Sequence, residues 1–379
     1  MPVDSQQIKQ VLAGLNKFQL VREINEGMNA FAFSARHIHL DRPVFLKIIF
    51  LGREEQESIL AEPQLLVRAL SVNPPCDYIV QLYDAETLDI GGENYLCLQM
   101  EYVDGRSLLS TLQFRPFGQQ EAVRISANIL HGVNHLHAQR MVHRDLKPAN
   151  ILLAGNIPKI TDFGSVRMFE ENQDFVTASK HSALYVPPEG WESPSKYFFF
   201  SDVYQVGMIL YELVNGCLVY DQEHYVTPPL RRNLQATGCS YRDLDDFQKT
   251  EWSNRGIAIL SNRNKLLEHG CSPKPYYSNR LRRIINCATT SNLDRRFQTV
   301  DEFLHKLLQI DVPNWKPVDD RYEAASWRGF DWRVCRVRRA RQNQILVERV
   351  REGATNYRAI RKQTFDSHKG AFAFIEAIE

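Results

Sequence analysis

The feature that most constrains the fold is a change of hydrophobic pattern near Asp104-Gly105. Before this point, short runs rich in β-branched and aromatic residues are separated by Gly, Asn, Asp or Pro, which is typical of strands. After it, apolar residues recur at helical spacing. A β-rich part should therefore precede a mainly helical part. The predicted strands are Phe18–Ile24, Phe31–His39, Val44–Phe50, Ile79–Leu88 and Tyr95–Met100, and the predicted helices are Arg53–Leu70, Glu121–His137, Val203–Val214 and Val300–Ile310.

Composition narrows the class of protein without deciding its function. The 379 residues are 44% hydrophobic and 24% charged, which is typical of a globular protein with two or three folding units. A formal net charge of +1 gives no overall reason to bind nucleic acid or an anionic membrane. The sequence has no apolar run of about 18 residues, and its polar N-terminus is unlike a secretory signal, so we expect a cytoplasmic protein with no membrane segment. Seven scattered cysteines without C-x-x-C spacing favour reduced thiols.

The strongest local motif is the octet His143-Arg144-Asp145-Leu146-Lys147-Pro148-Ala149-Asn150, followed twelve residues later by Asp162-Phe163-Gly164. These segments resemble the catalytic loop and the DFG motif of the eukaryotic-like serine/threonine protein kinases, and the resemblance extends over roughly residues 17 to 310. It implies an α+β, bilobal protein-kinase fold, with a β-rich N-lobe that carries helix αC and a mainly α-helical C-lobe. Its implied activity is transfer of the γ-phosphate of ATP to a protein hydroxyl.

The expected boundaries follow from this resemblance and from the pattern. Residues 1–16 form an N-terminal extension, and residues 17–312 form the kinase domain, divided into lobes at 17–102 and 103–312. Within it, the polar stretch from Cys217 to Tyr277 predicts loops and short helices. Residues 313–379 are predicted to be a linker and a small basic β-rich module.

The C-terminal module has a marked local charge. From Arg328 to Lys362 there are eleven Lys or Arg and three acids, a balance of 11 − 3 = +8. Strands are predicted at Asp331–Arg339 and Ile345–Arg351, with a turn at residues 342–344 and a closing helix at Gly370–Ile378. The basic face could be merely solvated, could dock on the kinase domain or on an acidic partner, or could contact nucleic acid. Few aromatic residues are interleaved with it, so nucleic acid has the weakest support.

The resemblance assigns roles in phosphoryl transfer, which needs an aligned acceptor and compensation of negative charge. Asp145 would orient the substrate hydroxyl and accept its proton, and Lys147 would neutralise charge on the transferring group. Asn150 and Asp162 would hold two Mg²⁺ ions through oxygen atoms.

The lysine that contacts the ATP phosphates in the family corresponds to Lys47, at the end of an apolar strand pattern. Its acidic partner on helix αC is predicted to be Glu62. Because Pro63 fits only the first turn of a helix, Glu57 remains an alternative partner.

The predicted nucleotide pocket departs from the family at several positions. The glycine-rich loop keeps only Gly27 of three family glycines, with Ala30 at the third position. The usual Val and Ala above the adenine are exchanged for Ala32 and Phe45, so Phe45 is expected to cover the adenine while Ala32 makes room. The remaining predicted nucleotide contacts are Ile24, Leu152 as the floor of the pocket, and the hinge segment with Met100, Glu101 and Val103.

The segment Ser182-Ala183-Leu184-Tyr185-Val186-Pro187-Pro188-Glu189 resembles the end of a kinase activation loop. Glu189 would pair with Arg296, and Asp202 resembles the aspartate of helix αF. These residues imply a platform for protein substrates, and Lys147 with Ser182 favours serine or threonine acceptors. Thr177 and Ser179 are candidate phosphorylation sites near Arg144.

Two alternatives stay open at this point. The degraded glycine loop is compatible with a pseudokinase that acts as a nucleotide-gated scaffold, although the complete set of charged motif residues argues against it. A kinase of small molecules is disfavoured by the segment from Ser182 to Glu189.

Overall fold

The structure is a computed structural model that describes residues 3–24, 30–52, 67, 75–170, 173–177, 182–339 and 342–378. The chain divides into two compact units. The first comprises Met1–Ser107, Gly132–His143 and Asn150–Gln173, and the second comprises Leu108–His131, Arg144–Ala149 and Asp174–Glu379.

The described part of the chain contains helices and strands in both units. The strands are β1 (Phe18–Ile24), β2 (Ala30–His37), β3 (Arg42–Gly52), β4 (Leu82–Ile90), β5 (Glu93–Glu101), β6 (Arg106–Ser107), β7 (Met141–Val142), β8 (Ile151–Ala154), β9 (Ile157–Ile160), β10 (Arg167–Met168), β11 (Lys316–Val318), β12 (Arg321–Trp327), β13 (Phe330–Arg339), β14 (Gln342–Arg351) and β15 (Arg358–Phe365). The α-helices are α1 (Ser5–Gly14), α2 (Leu108–Phe114), α3 (Gln119–His137), α4 (Phe199–Asn215), α5 (Pro228–Ala236), α6 (Asp246–Asn262), α7 (Leu266–Gly270), α8 (Asn279–Ala288), α9 (Val300–Leu308) and α10 (His368–Ala377). Among the described residues, no helix is both long and apolar enough to cross a bilayer.

The first unit is built on a five-stranded antiparallel sheet in the order β1-β2-β3-β5-β4. Helix α1 contributes Ile8 and Leu12 to the apolar core of this sheet. Asp4 caps the helix, because its carboxylate accepts the backbone N–H of Gln7 while the Gln7 side chain accepts the N–H of Asp4. The N-terminal extension thus packs as part of the sheet's core.

Strand β3 separates the core side of this sheet from the side that carries the polar site. Val44, Leu46 and Ile48 are buried in the core with α1, and the intervening Phe45 and Lys47 lie on the opposite face because successive strand residues alternate. The outcome is one apolar face and one face on which a long cationic side chain can reach a neighbouring segment.

A three-stranded sheet, β6-β8-β9, follows the end of β5. Gly105 is required at its entrance, because a Cβ atom there would lie 1.8 Å from the carbonyl oxygen of Leu153. The sequence pattern marked Asp104-Gly105 as a boundary, and the close backbone approach explains why a glycine stands there.

The second unit is organised around helix α4. Every residue from Ser201 to Asn215 is buried, including the polar side chains of Asp202, Gln205 and Glu212. Each polar side chain on a helix that is buried on all sides needs a hydrogen-bond partner from a neighbouring segment.

The C-terminal segment forms a five-stranded antiparallel sheet, β11 to β15 in sequence order, with α10 packed on it. Its core also includes Tyr276, which lies within the predicted kinase domain, and Trp315 of the linker. The Phe372 ring of α10 lies 4.9 Å from the ring of Trp315 and 6.1 Å from that of Tyr276. The linker is fixed further because the buried Gln119 side chain donates to the Pro313 carbonyl and accepts the Ser278 N–H. This module therefore shares a core with the rest of the second unit.

Two expectations about secondary structure are corrected. The stretch from Cys217 to Tyr277 contains the 17-residue helix α6, not only loops and short helices. The sequence hides this helix because its buried face carries small residues: a Cβ atom at Gly256 would lie 1.8 Å from the Tyr225 carbonyl oxygen, and Ser253 is also buried. The predicted turn at residues 342–344 is wrong, since these residues belong to β14 and Gln342 lies opposite Arg339.

The basic charge of the C-terminal module is partly neutralised within the second unit. The guanidinium of Arg328 lies 3.1 Å from a carboxylate oxygen of Asp311, and that of Arg333 lies 3.1 Å from one of Glu323. Arg349 lies over the Phe330 ring at 4.2 Å. Among the described side chains of the predicted basic patch, Arg328, Arg336, Arg351 and Arg358 are exposed.

The shared core predicts that the C-terminal module stabilises the second unit. Replacing the fully buried Trp315 by alanine removes the ring that contacts Phe372 and leaves a cavity. We expect Trp315→Ala to lower the free energy of unfolding by about 3–5 kcal/mol, measured by denaturant titration. The control is Phe247→Ala, at a side chain that is 79% exposed, which should change it by less than about 0.5 kcal/mol. Equal stability of both variants would show that the module is only loosely attached.

Candidate functional site

The polar site of the first unit is centred on an ion pair between distant segments of the chain. The Lys47 ammonium of β3 lies 3.2 Å from a carboxylate oxygen of Asp162. Both side chains are partly exposed. A cation and a carboxylate held side by side and open to solvent can together bind an anion and a metal ion.

Backbone geometry and aromatic packing fix the position of Asp162. Its φ of +61° lies in the left-handed region, which is uncommon for a residue with a side chain. The next residue, Phe163, is buried, and its ring lies 5.6 Å from the ring of His143. A ring nitrogen of His143 lies 3.1 Å from the Thr161 carbonyl oxygen. Contacts on both sides of Asp162 thus stabilise its unusual backbone conformation.

The β8–β9 hairpin brings Asn150 next to the Asp162 segment. Asn150 immediately precedes β8 and Thr161 immediately follows β9, with Ile151 opposite Ile160. The Thr161 N–H donates to the Asn150 carbonyl at 3.0 Å. The amide side chain of Asn150 and the carboxylate of Asp162 therefore belong to segments that lie side by side. Their oxygen atoms are the ligand type that Mg²⁺ prefers.

The segment predicted as the hinge begins at the end of β5. Met100 is buried and lies opposite Phe45 of β3, on the same face of the sheet as Lys47. Glu101 is anchored by Lys159 of β9, with ammonium-to-carboxylate distances of 2.8 and 3.0 Å. The chain then leaves the sheet, and the Val103 carbonyl accepts the Gly105 N–H at 2.9 Å.

The other predicted nucleotide contacts fall on the same strands. Ile24 at the end of β1 lies opposite Ala32 of β2, and Ala32 lies opposite Lys47. Ala30 begins β2, and the half-buried Leu152 lies in β8. The predicted positions Gly27, Glu57, Glu62 and Ser179 lie outside the described residues.

The register bears on the predicted exchange of Ala32 and Phe45. Phe45 lies opposite Ser34, two pairs away from the Ala32–Lys47 pair and therefore in the next pair on the same face of the sheet. Residues of neighbouring pairs on one face are diagonal neighbours, within reach of an aromatic side chain. Ala32 is fully buried, whereas Phe45 is half-buried.

The polar site of the second unit is the segment Arg144–Ala149. Arg144 has a φ of +67°, and its backbone N–H donates to the Asp202 carboxylate at 3.0 Å. The Gln205 side chain accepts the Leu146 N–H at 2.8 Å and donates to the Arg144 carbonyl at 3.2 Å. Two side chains of α4 therefore hold the backbone on both sides of Asp145.

The Lys147 ammonium joins two groups within this segment. It lies 2.9 Å from a carboxylate oxygen of Asp145 and 2.6 Å from the Ser182 hydroxyl. A carboxylate, an ammonium and a hydroxyl thus form a continuous hydrogen-bonded row. Such a row can orient an acceptor hydroxyl beside the carboxylate and place positive charge next to it.

The segment after Ser182 is anchored by a buried ion pair and by hydrogen bonds. Arg296 binds the Glu189 carboxylate through two nitrogen atoms at 2.7 and 3.0 Å, and both side chains are almost completely buried. The Ser201 hydroxyl donates to the same carboxylate at 2.5 Å. This satisfies the charges that burial would otherwise leave unpaired.

A second buried acid lies under the same segment. Glu212 of α4 accepts the Tyr185 hydroxyl at 2.6 Å and the Leu218 N–H at 2.9 Å. The Tyr185 hydroxyl also lies 2.8 Å from that of Tyr220, which is partly exposed. Burial raises the pKa of Glu212 to about 7, although both hydrogen bonds favour the charged form.

Sequence reasoning missed several of these residues. Gln205 follows Asp202 by one helical turn, and this spacing could have indicated a second contact from the same face of α4. Lys159 and Glu212 gave no comparable signal, because their partners Glu101 and Tyr185 lie 58 and 27 residues away in the chain.

Comparison with known proteins gives a family and several relatives. A family model described as the protein kinase domain matches residues 18–312. The serine/threonine-protein kinase PrkC of Bacillus subtilis is 34% identical over 58% of this chain and 33% of its own length. Nek3 of Mus musculus is 38% identical over 52% and 38%, and pkn3 of Myxococcus xanthus is 30% identical over 58% and 43%. The matched regions span about a third to less than half of the length of these relatives.

The pKa of Glu212 predicts a pH dependence of stability. Because its folded pKa of about 7 exceeds the reference value of 4.5, the folded state binds more protons than the unfolded state between these pH values. The contribution of Glu212 is therefore fully present below pH 4.5 and is lost as the pH rises to about 7. Glu212→Gln should remove this pH-dependent contribution. The difference in the free energy of unfolding between this variant and the wild type should therefore change between pH 4.5 and about 7.

The measurement is a denaturant titration at closely spaced pH values. Glu251→Gln, at an exposed glutamate of α6, is the matched control and should keep the wild-type dependence. A stability difference between wild type and Glu212→Gln that does not vary with pH would contradict the assignment.

Proposed function

This chain belongs to the protein kinase family, and from that premise we propose that it is an active serine/threonine protein kinase that uses ATP and Mg²⁺. The observation that carries the proposal is the hydrogen-bonded row Asp145–Lys147–Ser182, positioned by Asp202 and Gln205. A scaffold without catalysis would have no need for this polar arrangement.

In the proposed mechanism the first unit holds the nucleotide. Lys47 binds its phosphates, and the strand face with Ala32, Phe45 and Met100 accepts the adenine. The backbone of Glu101 and Val103 supplies the hydrogen bonds to the base. The side chains of Asn150 and Asp162 hold Mg²⁺, which when bound neutralises negative charge on the phosphates.

The second unit acts on the acceptor. Asp145 accepts a hydrogen bond from the substrate hydroxyl, orients it and takes its proton as the oxygen forms its bond to the γ-phosphorus of ATP. The bond between this phosphorus and the β–γ bridging oxygen breaks in the same step, and ADP leaves with that oxygen. Lys147 places a positive charge beside the developing negative charge. Ser182 holds the Lys147 ammonium, and the anchored segment up to Glu189 receives the protein substrate.

The alternatives have less support. A pseudokinase would tolerate loss of the motif residues, but Lys47, Asp145, Lys147, Asn150 and Asp162 are all present. The three relatives reported above are all named serine/threonine-protein kinases. A kinase of small molecules does not account for the buried Glu189–Arg296 pair that anchors the substrate segment.

The first test removes the two proposed catalytic carboxylates. Asp145→Ala and Asp162→Ala should each lower phosphoryl transfer by at least about 100-fold, because each removes a group that acts in the transition state. The measurement is transfer of labelled phosphate from ATP to a generic protein substrate, with folding checked by circular dichroism. Asp246→Ala, at a fully exposed aspartate, is the control and should retain activity. Near-wild-type turnover in either folded variant would contradict the mechanism.

The second test concerns phosphorylation of Thr177. Its side chain is exposed, and its backbone carbonyl accepts a hydrogen bond from the Arg144 guanidinium. A phosphate on Thr177 would therefore lie near a buried cation and could bind it through charge-assisted hydrogen bonds. We expect phosphatase treatment to lower the activity of the phosphorylated protein at least about 10-fold. This change corresponds to a loss of about 1.4 kcal/mol of transition-state stabilisation.

Arg144→Gln and Thr177→Ala should both abolish this dependence on phosphatase. Thr227→Ala, at a threonine outside this segment, should leave it unchanged. Active protein that carries no phosphate on Thr177 by mass spectrometry would exclude the proposal.

A further inference from the structure

A groove of about 310 Å³ lies between α10 of the C-terminal module and the segment around α8. The wall formed by α10 carries Lys369, Phe372 and Glu376, at the three- and four-residue spacing of one helix face. The other wall carries Lys274, Tyr277 and Arg282. Only the second wall lies within the part of the chain that matches the kinase domain.

The groove is formed by packed side chains. Phe372 contacts the rings of Trp315 and Tyr276 in the shared core, which fixes the position of α10. The Arg282 guanidinium lies over the Tyr277 ring at 4.7 Å. Both walls are therefore held in place before any ligand binds, as is usual for small-molecule sites, and the volume falls at the lower end of their range of about 300–1,000 Å³.

The acidic groups of the groove are engaged by its surroundings. Glu268 pairs with Arg282 at 3.2 Å. The Glu376 carboxyl interacts with the side chain of Ser278 and the backbone of Asn279, and burial raises its pKa. In the part of the chain that the structure describes, neither Lys274 nor Lys369 has a carboxylate within 4.0 Å. The described lining holds three cations, Lys274, Arg282 and Lys369, against two carboxyl groups, Glu268 and Glu376, a balance of 3 − 2 = +1, with one lysine ammonium on each wall.

Tyr277 adds an independent observation. Its hydroxyl is buried, and no described group lies within hydrogen-bonding distance of it. Burial also raises its pKa, so the hydroxyl keeps its proton as a donor. Buried hydroxyls without a partner are uncommon in folded proteins, and an acceptor from a ligand would remove the deficit.

We propose that this groove binds a small organic phosphate, whose anionic group contacts Lys274, Lys369 and the Tyr277 hydroxyl and whose apolar part lies against Phe372. Lysine binds phosphate as a point charge, whereas Arg282, the one arginine in the described lining of the groove, is already paired with Glu268. Such a ligand would join the C-terminal module to the kinase domain. The proposal does not depend on catalytic activity.

The test uses phenyl phosphate as the probe and isothermal titration calorimetry on the full chain. The expected result is saturable binding, with weaker binding of inorganic phosphate, which lacks the ring, and of benzyl alcohol, which lacks the charge. The double variant Lys274→Gln/Lys369→Gln should bind phenyl phosphate at least about 10-fold more weakly, the effect of losing one charge-assisted hydrogen bond. The charge-matched control Lys265→Gln/Lys306→Gln changes exposed lysines outside the groove and should bind as the wild type.

Tyr277→Phe separates a role in binding from a role in stability. Because the hydroxyl has no partner among the described residues, its removal should leave the free energy of unfolding unchanged or raise it, while phenyl phosphate binds severalfold more weakly. Absence of saturable binding at millimolar concentrations, or equal weakening in both lysine double variants, would overturn the site. Unchanged affinity in Tyr277→Phe would overturn the contact with the hydroxyl.

Discussion

The second unit depends on polar side chains that are buried along helix α4. Asp202 and Gln205 hold the backbone on both sides of Asp145, while Ser201 and Glu212 bind Glu189 and Tyr185 of the segment that follows Ser182. Each of these groups would destabilise the fold by about 1–3 kcal/mol if it were buried without a partner. The helix and the two segments that it contacts therefore stabilise one another, and residues 144–147 keep their backbone conformation although they belong to no helix or strand.

The first unit depends on a different constraint, the alternation of side chains between the two faces of a strand. In β3, residues 44, 46 and 48 enter the core with α1, which leaves Lys47 on the face that reaches Asp162. A shift of register by one residue would bury the lysine and expose the apolar residues. The same core that stabilises the sheet thus sets the direction of the cation, and the extension before β1 takes part in it through Ile8 and Leu12.

The C-terminal module changes the interpretation of the segment beyond the kinase match. The positive local charge suggested a separate basic patch, yet Arg328 and Arg333 are paired with acids. Tyr276 and Trp315 belong to the module's aromatic core. The module is thus packed against the region around α8, and the groove between them has one wall from each side. A ligand or mutation at this contact would act on the kinase domain through packing, not through a flexible linker.

The sequence alone was sufficient to identify the family, because the family is marked by short motifs such as His143–Asn150 and Asp162–Gly164. The roles assigned to the residues of these motifs stay predictions. The sequence also located the main strands and helices whose hydrophobic periodicity is strong, including β1 and α3. It could not identify α6, because that helix buries Ser253 and Gly256 where a periodic pattern would require large apolar residues. Nor could it pair Glu101 with Lys159 or join Tyr276 to Trp315, since such contacts link segments that are far apart in the chain. The local sequence pattern indicates which chemistry a residue can perform, whereas its contacts depend on how distant segments of the chain pack together.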